Sequence, residues 1–235
     1  MKANKQTEAL INAYNLLVKG IETKANEDEE RAYGGTIRAG KGLLVENIGK
    51  QIIEIAWADL GANPKRLSFV KKPIKIPLKQ DYLKRIQSQE IIDWIRANIK
   101  DFYYTIKTDI HVNIDDDIVL GIECKAYTEN AMIKRILVDF TLLKQVHPDL
   151  KCALLQLESQ LTGDYSKPSQ GVIFGSHSTH TLLSYFDIAL NIVTLLEGER
   201  KVDKPIHKPE YYKEIEEKNL LKAVEIFKGL LKDWV

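Results

Sequence analysis

The sequence predicts an α/β chain built on a mixed central β-sheet flanked by helices, and three observations carry that expectation. Residues 106–114 and 118–126 each alternate apolar with polar side chains, the pattern of a half-buried hairpin. Glu129 to Val146 then repeats apolar residues at helical spacing, and Lys151 to Glu158 is a strand-length apolar run. Hairpin, helix and buried strand in that order make a crossover onto a sheet with both parallel and antiparallel pairs.

From the N-terminus, Thr7 to Ala25 carries Leu10, Ile11, Tyr14, Leu17 and Ile21 on one helical face, and the polar stretch Asn26 to Arg31 ends that helix. Tyr33 to Gly42 is rich in glycine and carries Arg38 and Lys41, which reads as a loop able to approach another molecule closely. A second helix, Leu43 to Leu60, buries Leu44, Val45, Ile48, Ile52, Ile55 and Ala56 and places Glu46 within reach of Lys50, with Glu54 further along. Between Asn63 and Arg85 the residues Lys65, Arg66, Lys71, Lys72, Lys75, Lys79, Lys84 and Arg85 face the single acid Asp81. That local asymmetry matters because the whole chain is nearly neutral, with 34 Lys+Arg against 33 Asp+Glu.

Asp115-Asp116-Asp117 reads as the hairpin turn. Matching the apolar faces then pairs Ile114 with Ile118, Val112 with Leu120 and Ile110 with Ile122, and puts Asp109 opposite Glu123 with Lys125 two residues along. Beyond the crossover strand, Gly171 to Gly175 reads as a short strand, and Thr179 to Leu196 and Pro209 to Trp234 read as helices. No repeat or linker divides the chain, so the expectation is one domain over residues 1–235. Cys124 and Cys152 sit in apolar runs that need no disulfide, and no run approaches the roughly 18 apolar residues of a membrane span, which together point to the cytoplasm.

Two carboxylates opposite each other on neighbouring strands have roots about 5 Å apart and repel, so a cation belongs between them. Mg²⁺ suits the place, since it takes a few carboxylate oxygens and completes its shell with water and phosphate. The Lys125 ammonium on the same face can orient or stabilise a metal-activated water. No phosphate-binding loop, nucleophile elbow or zinc-type Cys/His spacing accompanies this set.

Asp109, followed by Glu123-Cys124-Lys125 in a strand and then by a helix and a buried strand, resembles the core of the PD-(D/E)XK nucleases, and within them the type II restriction endonucleases. Thr108 stands where the family's name has proline. The resemblance spans about residues 42–175. It implies that Asp109 and Glu123 bind Mg²⁺, that Lys125 assists the nucleophilic water, and that Glu46, or else Glu54, is the further acid from the preceding helix. It also implies sequence-specific hydrolysis of double-stranded DNA beside a separate cognate methyltransferase. One centre cuts one strand, so a two-fold symmetric homodimer is expected. A repair, recombination or RNA nuclease of the same fold and a catalytically silent DNA-binding module are the competing expectations. The groups expected at the nucleic acid are Arg38 and Lys41, Lys71 and Lys72 of the basic run, Tyr127, Asn130, Lys134 and Arg135 after the strand, and His177. Thr128, Ser178 and Thr179 have helix capping as their alternative role.

Overall fold

The computed structural model describes residues 5–26, 30–166, 176–206 and 208–235. Its centre is a five-stranded mixed sheet in the order β1–β4–β5–β6–β7, formed by β1 (Leu67–Ser68), β4 (Ile110–Ile114), β5 (Asp117–Thr128), β6 (Lys151–Ser159) and β7 (Leu190–Thr194). The β1–β4–β5 pairs are antiparallel and the β5–β6–β7 pairs parallel. Helices α1 (Lys5–Asn26), α2 (Glu30–Asp59) and α6 (Glu217–Leu231) cover one face, where Tyr14, Ile48, Ile52, Trp57 and Phe227 join Ile110, Leu120, Ile122 and Leu155 in one cluster. Helix α4 (Asn130–Leu143) covers the other, burying Ile133, Ile136, Leu137, Phe140 and Leu143 against Cys152 and Leu154. Beside α4 lie α5 (His177–Ser184) and an antiparallel ribbon of β2 (Ile74–Pro77) and β3 (Tyr103–Ile106); α3 (Gln89–Ala97) precedes β3, and the Ser88 side chain caps its N-terminus.

The mixed sheet, the crossover and the inward faces of α2 and α4 follow the expectation. Tyr33 to Gly42 does not form a loop, because the backbone of α2 is continuous from Glu30. Each glycine costs a helix only about 1 kcal/mol, an amount that packing along a long helix overrides. The alternating stretch 106–114 is two strands rather than one, broken at 107–109, and His111 and Asn113 of β4 are buried although they occupy the polar register.

The hairpin turn is shorter than three residues. Asp115 and Asp116 alone form it, with φ of 51° and 73°, the left-handed pair that a two-residue hairpin needs. This pairs Ile114 with Asp117 and Asn113 with Ile118, not Ile114 with Ile118. A β-bulge at Val119 then inserts the residue that the turn omits, so Val112–Leu120 and Ile110–Ile122 pair as expected. The bulge also exchanges faces locally: Val119 joins the α2-side cluster and Ile118 packs on the α4 side.

Thr179 to Leu196 is not one helix. It divides into α5 and strand β7, because the mostly apolar stretch 188–196, partly buried over 190–192 and buried over 193–196, pairs with β6 and its spacing fits either period. The last helix starts at Glu217 rather than Pro209, after a separate helical turn at Pro209–Tyr211. The strand expected over residues 171–175 lies outside the described residues.

Candidate active site

Asp109 ends the irregular link into β4, and Glu123 and Lys125 stand on β5, so the hairpin register decides whether they meet. Thr108 fixes the link: its N–H donates to His111 Nε2 at 3.1 Å and its hydroxyl to the Ile110 carbonyl at 2.8 Å. The Cys124 N–H donates to Asp109 Oδ2 at 2.8 Å, which ties the aspartate to β5. Lys125 Nζ then donates to Asp109 Oδ2 at 2.7 Å and to Glu123 Oε2 at 2.6 Å. One ammonium bridges both carboxylates, as the repulsion between them requires. The three side chains keep 28%, 13% and 31% of their surface for Asp109, Glu123 and Lys125, enough for access from one side.

Burial pushes the two acids the same way, yet they diverge. For Asp109 the rise from burial is outweighed by the Lys125 hydrogen bond and charge, the Cys124 N–H and Lys71, which hold the carboxyl below the usual range. For Glu123 burial wins, opposed by Lys125 and reinforced by the Asp109 charge, and its pKa is pushed up to about 7. Burial lowers the Lys125 ammonium, but the two carboxylates more than compensate and raise it. Cys124, between them in sequence, points into the α2-side core, where burial lifts its thiol far above the ordinary value.

Glu46 pairs with Lys71 at 3.8 Å instead of Lys50, and Lys71 in turn lowers Asp109. Among the described residues no three His, Cys, Asp or Glu side chains form a group able to hold a metal, so Glu46 stands beside the Asp109–Glu123 pair without joining it. Glu54 is exposed on α2.

The residues expected at nucleic acid disperse around this centre. Lys71 is beside it, and Lys72 is exposed on a hollow lined by His111, Asn113 and His147. Lys41 is half-buried on α2, and the Arg38 side chain lies outside the described residues. Tyr127, on β5 beyond Lys125, stacks under the Arg200 guanidinium, 3.7 Å from its ring centre. Asn130 ties α4 to α5, donating to Ser178 Oγ at 3.0 Å and accepting from Thr179 Oγ1 at 2.6 Å. Lys134 and Arg135 are exposed on α4, with Arg135 3.9 Å from Asp139, and His177 is exposed at the start of α5. Capping explains none of the three hydroxyl residues: Glu129 and Ser176 occupy the N-cap positions, and the buried Thr128 hydroxyl has no hydrogen-bond partner among the described residues.

Two polar residues adjoin the centre that the sequence reading did not single out. Gln156 is fully buried in β6 next to Lys125, and Arg200 covers Tyr127. The first had a signal, a lone amide in the apolar run Leu154-Leu155-Gln156-Leu157. Arg200 had none, being brought in from beyond β7.

Among curated proteins the chain is similar to the type II restriction enzyme DdeI of Desulfomicrobium norvegicum (strain DSM 1741 / NCIMB 8310), with 48% identity over 231 residues that cover 95% of this chain and 96% of that protein. Among solved structures it is similar to a chain of the native BbvCI A2B2 tetramer, with a TM-score of 0.38 and 9% identity over 97% of this chain and 89% of the other. No family model matches the sequence.

Proposed function

The chain belongs to the type II restriction enzymes, a site-specific DNA endonuclease family, and on that premise we propose that Asp109, Glu123 and Lys125 form the centre at which it hydrolyses phosphodiester bonds of double-stranded DNA. We further assign this centre to the PD-(D/E)XK superfamily and its metal to Mg²⁺. The observation that carries the reading is the single ammonium held between two carboxylates on neighbouring strands. That donor set fits a hard cation needing only one or two protein carboxylates, the rest of its shell coming from water and substrate phosphate. Bound there, the ion supplies Lewis acidity and an activated water.

The protein's own groups do the positioning. The Cys124 N–H anchors one oxygen of Asp109, and Asp109 and Glu123 are the residues that would hold the ion. Lys125 would steady the attacking water and the charge that builds on the phosphoryl oxygens. Glu46 acts from α2 through Lys71. Arg38, Lys41, Lys71, Lys72, Tyr127, Lys134, Arg135 and His177 meet the DNA backbone or bases, and Asn130 fixes the α4–α5 corner beside it. The chain works as one nuclease domain in a cytoplasmic homodimer, each protomer cutting one strand, beside a separate methyltransferase. No helix among the described residues is long and apolar enough to cross a membrane.

Digestion of a sequenced plasmid with mapping of the ends tests this reading. Discrete fragments with 5′-phosphate ends are expected with Mg²⁺, and none with excess EDTA or in Asp109→Ala. Random degradation, or undiminished cutting by Asp109→Ala, overturns it.

A further inference from the structure

The parallel register sets Lys125 of β5 beside Gln156 of β6, and Gln156 beside Thr194 of β7. Flanking residues show which face this row occupies. Leu154 and Ile192 belong to the α4-side cluster, while Leu155 and Val193 belong to the α2-side cluster, so Gln156 and Thr194 point toward α4, as Lys125 does. Gln156 Nε2 donates to Thr194 Oγ1 at 2.9 Å, which pins the amide. Its Oε1 is buried and has no hydrogen-bond partner among the described residues. A buried acceptor left in that state is costly and rare in native structures.

A donor with capacity to spare stands next to it. The Lys125 ammonium has three N–H groups, and the two hydrogen bonds it makes go to Asp109 and Glu123. It also occupies the space between those carboxylates, which is where a divalent cation has to sit. The two positive charges exclude one another, and an ammonium moved aside within a half-buried pocket needs a new acceptor.

We propose that Gln156 is a positioning residue that receives the Lys125 ammonium on its Oε1 when a divalent cation enters between Asp109 and Glu123, with Thr194 holding the amide in the orientation that presents this oxygen. The inference rests on the reading of Asp109 and Glu123 as the metal-holding pair. It makes Gln156 a determinant of metal affinity that acts through Lys125, with no contact to the metal.

Mn²⁺ binding to the full chain without DNA, followed by the electron paramagnetic resonance signal of free Mn²⁺, tests the inference without any cleavage readout. Gln156→Leu is expected to weaken binding about tenfold, the effect of one hydrogen bond to a charged group. Thr194→Val, a near-isosteric change that frees the amide, is expected to weaken it by about two- to threefold. In a Lys125→Met background Mn²⁺ binds more tightly than to wild type, and adding Gln156→Leu or Thr194→Val changes nothing further. An equal loss in both backgrounds means ordinary structural damage and overturns the proposal, as does an unaltered affinity in the single variants. If Gln156→Leu does not fold, the Thr194→Val pair of backgrounds decides alone. Asp109→Ala separates the two levels. If it abolishes Mn²⁺ binding while the Gln156 and Thr194 changes leave it intact, only this inference falls; if it binds Mn²⁺ as wild type does, the metal-pair reading falls and takes the inference with it.

Discussion

On the α2 side of strand β5, Leu120, Ile122 and Cys124 lie in a closed aliphatic core with Ile48, Ile52 and Leu155. On the α4 side, one residue out of phase, Gly121, Glu123 and Lys125 leave room for a polar row that continues through Gln156 and Thr194. The same backbone serves both, because successive side chains of a strand point to opposite faces. Packing on one face thus fixes the register that brings charges together on the other. The hydrophobic core and the proposed catalytic row are separated by a single residue step along the chain, and adjacent substitutions should separate stability from cleavage.

Lys125→Met and Cys124→Ala make the largest contrast. Losing the ammonium is expected to reduce single-turnover cleavage by about 10³-fold or more, the scale of removing one preorganised group that stabilises developing charge. Trimming the neighbouring thiol leaves cleavage within about twofold and costs about 1 kcal/mol of stability, the burial energy of one small group. Rapid-quench cleavage and urea unfolding of both variants measure the contrast, and comparable cleavage by the two would remove the distinction between the faces.

Glycines on either side of the sheet give a finer version. A Cβ at Gly49 of α2 would stand 2.8 Å from Ile110 Cδ1 and 2.9 Å from Leu155 Cδ2, both in the closed core. Gly49→Ala should therefore lower stability by about 1 kcal/mol, overpacking offset in part by better helix propensity, with little change in cleavage. At Gly121 a Cβ would meet Phe140 Cε1 at 3.0 Å and Thr108 Cγ2 at 3.3 Å. Thr108 adjoins Asp109, and its short side chain cannot swing aside as the far ends of Ile110 and Leu155 can, so displacing it moves a carboxylate, and Gly121→Ala should slow cleavage by about tenfold or more. The pair is measured by the same two assays, with the opposite ranking in each; the same ranking in both would mean that the two faces do not divide the work.

The central hairpin, α4 and β6 were legible because their periodicity is unambiguous, and the meeting of Asp109, Glu123 and Lys125 followed from matching apolar faces. The turn is one residue shorter than expected, and the bulge at Val119 restores the count before Leu120. Alternation could not reveal the bulge, since Ile118 and Val119 are both apolar and either fits either face. The glycines of α2 misled for a related reason: local propensity is weak beside the packing of a long helix. Residues 188–196 read as helix because their mostly apolar stretch, interrupted at Asn191 and Thr194, fits a helical spacing as well as a strand, and β7 is only partly buried over 190–192. Gln156 was visible in the sequence but meaningless until the parallel register set it beside Lys125.

The turn itself offers the smallest and most selective change. Asp115 and Asp116 both hold left-handed backbone conformations, but only Asp115 is engaged, its carboxylate gripped by Arg66 through Nε at 2.9 Å and the terminal nitrogen at 2.7 Å. Asp116 is exposed, and glycine suits the second position of such a turn. Asp116→Gly should raise stability by about 0.5 kcal/mol, relief of the positive φ exceeding the added freedom of the unfolded chain. Cleavage should not change, since the turn length and the Val119 bulge that set the Ile110–Ile122 pair are untouched. A rise in unfolding midpoint with constant cleavage is the expected result. A loss of cleavage would mean that register at the site depends on the identity of the turn residues as well as their number, and the two faces would then be coupled through the hairpin end.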